Sequence, residues 1–275
     1  MKKLLLLIII WQTSFVSCQN APEQKKEKEI TNSIKNIAKM KVEVWSDIMC
    51  PFCYIGKRHY EAALAKFAHA NQVEIVWRSY QLDPSLPKPA SKLNAYEYLA
   101  QRKGMSYEQS VAMHKNVIAM AKEAGLNYDY DKAVVANSFD AHRLIQLAKL
   151  NNLGDAAEER LFKAYFTEGK DMSDISTLIL LGKEIGLDEK LVTDVLNSNQ
   201  YTDAVNKDIQ EAEQIGVQGV PFFVFNRKYA VSGAQPDSIF LETLNKSFDE
   251  WLKANPQTKL EVTEGKVCTP DKGCN

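Results

Sequence analysis

Cys50-Pro-Phe-Cys53 stands where a strand-like pattern gives way to a helix-like one, and that junction restricts the possible folds more than any other stretch of the chain. Upstream, Lys41-Val-Glu-Val-Trp-Ser46 reads as a strand. Downstream, Ala62, Leu64, Phe67 and Ala68 continue an amphipathic helix, and Pro51, which has no N–H to donate, suits its first turn. Val73-Glu-Ile-Val-Trp-Arg-Ser-Tyr80 is a second strand, after which Pro84, Pro87 and Pro89 break the pattern. Strand, helix and strand make a βαβ unit, whose crossover is right-handed. The first strand delivers Cys50 to a helix N-terminus, where unpaired N–H groups and the positive end of the dipole favour a thiolate. Cys53 follows one turn deeper, within reach of a reversible disulfide. This arrangement points to thiol–disulfide exchange, with Cys50 attacking and Cys53 resolving the mixed disulfide. A structural pair or two zinc ligands is the competing reading, and the position after a strand of a βαβ unit weighs against it.

The next hundred-odd residues are helical in pattern. Tyr96 to Ala124 is rich in Ala, Met, Lys and Glu with few breakers. Asp131 to Leu150, Asp155 to Phe166, Ser173 to Ile185 and Asp188 to Leu196 each carry capping residues, apolar spacing or a terminal glycine. Ala204 to Ile215 is a further helix. Phe222 to Phe225 and Tyr229 to Ser232 flank Asn226-Arg-Lys as a hairpin, and Phe240, Leu244, Phe248, Trp251 and Leu252 mark one face of a last helix that Pro256 ends. The order predicts an α/β protein: a thioredoxin fold over residues 41–254 with a large inserted α-helical domain at about 91–198. A linker over 19–40 precedes it and a polar tail over 255–275 follows. Trp45, Trp77 and Trp251 are core candidates.

The 275 residues carry a net charge of −1 and five cysteines. So even a balance suggests no nucleic-acid partner. Met1-Lys-Lys3, the apolar run Leu4 to Trp11 and a polar turn before Phe15-Val-Ser-Cys18 read as an export signal over 1–18, too short for a stable membrane anchor. The small residue before Cys18 resembles the lipobox of bacterial lipoproteins, with Phe15 departing from the usual leucine. That likeness implies lipidation of Cys18 and attachment to the membrane only through it; plain secretion is the other reading. Without Cys18, an even set remains (Cys50, Cys53, Cys268 and Cys274), which fits an oxidising compartment such as the periplasm or cell envelope.

Several separated blocks resemble the FrnE-like branch of the DsbA thiol–disulfide oxidoreductases: Val44-Trp-Ser-Asp-Ile-Met-Cys-Pro-Phe-Cys-Tyr-Ile-Gly56, Asn137-Ser-Phe-Asp-Ala-His-Arg-Leu144, Leu161-Phe-Lys-Ala-Tyr-Phe-Thr-Glu-Gly169, and Gly219-Val-Pro-Phe-Phe-Val-Phe225 followed by Tyr229-Ala-Val-Ser-Gly-Ala-Gln-Pro236. The resemblance implies a cis bond at Val220–Pro221, with Pro221 beside the reactive sulfur and the Val220 backbone offered to an extended substrate. From the residues alone, a trans proline opening an edge strand is an equal reading. The DsbA family has His where this chain has Phe52. Phe52 supplies neither cation nor donor, which predicts a less stabilised thiolate and a weaker oxidant than DsbA, although Phe52 remains available for substrate contact. The resemblance puts His142 on an inserted helix facing the site, either in the substrate groove or as a structural histidine. It also implies that Cys268 and Cys274 are a second pair, acting as a redox relay or as a staple. Glu43 and Asp47 are candidate proton carriers beneath the cysteines or solvent-facing charges. His59, His69 and His114 show no catalytic or metal spacing.

The leading expectation is an exported enzyme that exchanges its disulfide with cysteines of exported polypeptides. It would be recharged by a redox partner that the sequence does not identify and would need no cofactor or metal. The alternatives are a small-molecule isomerase or glutathione-dependent enzyme of the same fold, and a non-catalytic protein holding zinc with Cys50, Cys53, Cys268 and Cys274.

Overall fold

The computed structural model describes residues 38–88 and 90–256, together with the backbone of Cys268–Thr269 and Gly273–Cys274. The expected signal, Cys18 and nearly all of the linker lie outside the described residues. Strand β1 (Met40–Ser46) leads into helix α1 (Pro51–Lys66), and β2 (Val73–Ser79) returns parallel to β1. A helical block follows: α2 (Ala95–Lys103), α3 (Tyr107–Glu123), α4 (Phe139–Leu150), α5 (Gly154–Phe166), α6 (Ile175–Glu184) and α7 (Glu189–Leu196). Helix α8 (Thr202–Gln214), strands β3 (Phe222–Phe225) and β4 (Tyr229–Ser232), and helix α9 (Asp237–Ala254) complete the core. The sheet order is β2-β1-β3-β4, with β3 antiparallel to both of its neighbours. This is the thioredoxin fold with a helical insertion.

Side-chain alternation sorts the sheet into two faces. Val42 and Val44 lie opposite Phe225 and Phe223, and this face carries α1 and α9 through Tyr60, Phe240 and Leu244, all fully buried. The Tyr60 ring stacks 5.7 Å from Phe223 and meets Phe240 edge-on at 6.0 Å. On the opposite face Trp45 packs with Ala212, Val217 and Val224 beneath α8, and its indole N–H donates to the Asp208 carbonyl at 2.8 Å. The edges of two capping boxes, Asn94 with Glu97 and Ser106 with Gln109, start α2 and α3 cleanly.

Two expected helices differ. The single run from Tyr96 to Ala124 is broken at Gly104, whose left-handed φ of 63° caps α2 before Ser106 restarts the chain as α3. The helix expected from Asp131 begins only at Phe139. The preceding residues instead pair with the proline-rich loop: the Ser91 N–H donates to the Val135 carbonyl at 2.9 Å, and the Asn137 side chain donates to the Leu86 carbonyl at 2.8 Å. In the tail, Cys268–Thr269 and Gly273–Cys274 form an antiparallel pair with Cys268 opposite Cys274. Among the described residues, no helix is long and apolar enough to cross a membrane.

Candidate active site

Cys50 is the N-cap of α1 and Pro51 opens its first turn. The turn is set by Asp47, whose carbonyl accepts from the Cys50 N–H at 2.9 Å. Its carboxylate accepts from the backbone N–H groups of Met49 (3.2 Å) and Leu82 (2.7 Å), tying the end of β1 to the loop after β2. The buried Asp47 therefore works as a latch for the turn that aims Cys50. The Tyr128 hydroxyl donates to the Pro51 carbonyl at 2.8 Å, a fastening from the α3–α4 connection that the sequence reading missed. The Tyr128-Asp-Tyr130 doublet was its only signal.

The Val220–Pro221 bond is cis. The Cys50 thiol donates to the Val220 carbonyl at 3.3 Å, so the proline turn and the sulfur are brought together across the fold. Gly56 makes this approach possible: a Cβ there would stand 3.0 Å from the Pro221 ring and 3.4 Å from Phe223. Cys53 is fully buried one turn inside α1, and both thiols are free. Burial pushes the Cys53 thiol well above its ordinary value. A hydrogen bond to Cys50 and the Cys50 charge push the same way, and the Asp47 N–H pulls weakly against them.

His142 needs correcting as a substrate contact. It lies on α4 as expected, but it is fully buried and touches no solvent. Its Nε2 stands 3.6 Å from the Asp47 carboxylate, and neither ring nitrogen has a hydrogen-bond partner among the described residues. Glu43 is no proton carrier for the cysteines either. It points to the α8 face, where Arg78 and Arg227 pair with it, and Arg78 also reaches Asp208 at 2.8 Å. Phe52 and Val220 line a cavity of about 440 Å³ over Cys50, shared between the core and the inserted helices. His114, on the wall of that cavity, is held by the Ser110 carbonyl at 2.8 Å, and burial lowers its pKa below the ordinary histidine value. Among the described residues, no three His, Cys, Asp or Glu side chains are grouped to hold a metal ion.

A strand-borne cysteine at a helix start with a cis-proline carbonyl at hydrogen-bond distance is the arrangement expected of a thiol exchanger, and the comparisons agree. Residues 41–245 match the DSBA-like thioredoxin domain. This chain belongs to that family. It is an enzyme of the thiol–disulfide oxidoreductase class. The crystal structure of a probable DsbA oxidoreductase from Streptomyces coelicolor shares 38% identity, covers 86% of this chain and 98% of its own, and superposes with a TM-score of 0.73. The uncharacterised protein YwbO of Bacillus subtilis (strain 168) is 26% identical over 208 residues, which are 74% of this chain and 95% of YwbO. The cytosolic disulfide reductase DsbM of Pseudomonas aeruginosa shares the fold at 16% identity and a TM-score of 0.54, with 76% of this chain and 99% of DsbM covered.

Proposed function

We propose that the DsbA-like chain is a FrnE-like protein disulfide oxidoreductase, exported and lipid-anchored through Cys18, whose redox centre is Cys50-Pro-Phe-Cys53. The observation that carries the chemistry is the 3.3 Å contact between the Cys50 sulfur and the carbonyl preceding Pro221. A substrate cysteine joined to Cys50 would run along this turn. Among the described residues, nothing pairs with the Val220 N–H, so it is available to an extended peptide.

In the oxidising direction, a substrate thiolate attacks Cys50 of the Cys50–Cys53 disulfide. A substrate–Cys50 disulfide forms, and Cys53 leaves as a thiolate and takes a proton. A second substrate thiolate then attacks the substrate sulfur and releases the Cys50 thiolate. Two electrons and two protons pass from the substrate dithiol to the enzyme. Reduction of a substrate disulfide is the reverse. Exported polypeptides with cysteines are the proposed clients, and a second thiol–disulfide protein restores the enzyme. The test pairs insulin reduction with oxidation of reduced ribonuclease, for the natural chain and for Cys50→Ser. Loss of both activities in the variant is expected. Undiminished turnover of either would remove Cys50 from the mechanism.

A further inference from the structure

Exchange between sulfurs leaves two buried hydroxyls beside Cys50 unused. Tyr98 donates to the Asp83 carboxylate at 2.8 Å, and Tyr128 to the Pro51 carbonyl. Tyr130, from the α3–α4 connection, and Tyr165, on α5, line the same cavity as Cys50. Their hydroxyls have no hydrogen-bond partner among the described residues. Both residues are more than nine-tenths buried, at 6% and 3% exposed. The Tyr130 ring is held in place, because His114 meets it edge-on at 4.4 Å and Phe166 at 6.0 Å. Burial pushes the Tyr130 hydroxyl above the ordinary tyrosine range, and the nearby Tyr165 and Cys50 push the same way. Burial raises Tyr165 too, with Asp47 and Tyr98 adding to it. Both hydroxyls therefore stay protonated and remain donors at neutral pH. Leaving a buried donor without an acceptor is costly, so the pair marks a place for an oxygen that arrives with a ligand.

Disulfide exchange has no need of them. A departing thiol, with an ordinary pKa of about 8.5, leaves as the thiolate unaided. An alkoxide does not. A hydroxyl as weakly acidic as that of water, at about 15.7, must take a proton as its bond breaks. The oxygen electrophile that a thiolate attacks is the O–O bond of a peroxide, and its product is a sulfenic acid that a neighbouring thiol converts to a disulfide. The cavity walls then sort the peroxides. Phe52, Leu99 of α2 and Val117 of α3 are apolar, and about 440 Å³ falls within the roughly 300–1,000 Å³ of small-molecule sites. An apolar organic group fills that space, whereas hydrogen peroxide has no carbon to bury.

Resting on the reading of Cys50 as the exchanging sulfur, we propose a second activity at that sulfur: reduction of apolar organic hydroperoxides, with Tyr130 as the acid for the departing alkoxide and Tyr165 as a second donor. The Cys50 thiolate attacks the terminal peroxide oxygen and the O–O bond breaks. Cys50 becomes a sulfenic acid, and the alkoxide leaves with the Tyr130 proton as the alcohol. Solvent returns to Tyr130 the proton that Cys50 released on ionising. Cys53 then attacks the Cys50 sulfur, the S–O bond breaks, and hydroxide leaves with the Cys53 proton as water. Two electrons pass from the dithiol to the peroxide. The Cys50–Cys53 disulfide that remains is reopened by a dithiol reductant.

The test mixes the reduced full chain, freed of excess dithiothreitol, with cumene hydroperoxide, hydrogen peroxide or bis(2-hydroxyethyl) disulfide. Chromatography of the quenched mixture reads 2-phenyl-2-propanol, and mass spectrometry after alkylation reads the enzyme disulfide. One alcohol per Cys50–Cys53 disulfide is expected, at a rate about tenfold above that with hydrogen peroxide, the scale of a small difference in buried apolar group. In Tyr130→Phe the ratio of the cumene hydroperoxide rate to the disulfide rate is expected to fall about a hundredfold, the low end of what a positioned acid contributes. Tyr165→Phe is expected to lower the same ratio by a smaller factor. In Cys53→Ser, dimedone is expected to trap the sulfenic acid as added mass on the Cys50 peptide. A cumene hydroperoxide rate no faster than that of dithiothreitol alone, or a ratio that neither tyrosine variant moves, would overturn the peroxide activity and leave disulfide exchange standing. No reaction with any of the three oxidants would overturn the reading of Cys50, and this activity with it.

Discussion

Cys50 and Cys53 are separated by one helical turn, yet they meet different surroundings. Cys50 occupies the N-cap, with the first-turn N–H groups and the cavity before it. Cys53 is enclosed, and burial together with its neighbour holds its proton on well above the ordinary thiol range. That asymmetry assigns the order of events. Cys50 reacts first, and Cys53 stays protonated until a mixed disulfide needs resolving. Release of substrate from a mixed disulfide with Cys50 is therefore expected to accelerate steadily from about pH 6 to 9, because burial, the largest cause of the raised Cys53 pKa, persists in the adduct and the thiolate fraction grows with pH. Stopped single-turnover measurements on a preformed peptide–Cys50 adduct would show it. A rate independent of pH over that range would mean that some other group deprotonates Cys53 ahead of attack.

At the scale of elements, the site depends on how closely α1 docks on the β3 turn, and Gly56 sets that distance. A Cβ at Gly56 would lie 3.0 Å from the Pro221 ring, 3.4 Å from Phe223 and 3.5 Å from the Ala234 backbone. Gly56→Val adds more bulk than this gap accepts. We expect a loss of about 1–3 kcal/mol of stability by overpacking, measured by urea unfolding, and a fall in exchange rate as Pro221 is pushed from the sulfur. A fully active and equally stable variant would show that the docking is slack. The strand, the redox helix and the hairpin were legible in the sequence because each has a strong local period and a turn signal at its ends. The inserted helices were less so. Helix-forming residues on both sides of Gly104 masked the break between α2 and α3. Asp131 to Ser138 looked like a helix start but is held by the loop carrying Pro84 and Pro87, a non-local pairing that no window of sequence contains. The same limit applied to His142: its helix was evident, but burial of its ring beneath Asp47 depends on how α4 meets the end of β1.

For the whole molecule, the informative charges are those that folding removes from water. Trp45 lies beneath two guanidiniums, from Arg78 and Arg227, and the acids on that face are paired. Neighbouring Glu158 and Glu159 on α5 have opposite fates. Burial alone would raise Glu159, but hydrogen bonds from Arg58 and Tyr54 and the nearby Lys57 hold it at about 2. Glu158 is fully enclosed, one of its oxygens has no partner among the described residues, and burial followed by repulsion from Asp155 pushes it up to about 8. The unfolded chain releases both protons near the ordinary glutamate value of about 4.3. Glu159 thus stabilises the fold above that value and loses its contribution as pH falls toward 2. Glu158 works in reverse: between about 4.3 and 8 the folded protein binds the proton that the unfolded chain has released, so stability declines as pH rises through that window. At pH 8 the accumulated cost is on the order of a few kcal/mol. Glu158→Gln keeps the shape without the charge, and it should raise the melting temperature at pH 8 while changing it little at pH 4.5. Calorimetry of both proteins from pH 4.5 to 8.5 gives the difference directly. Parallel curves for the variant and the natural chain would show that Glu158 gains a compensating partner as it ionises.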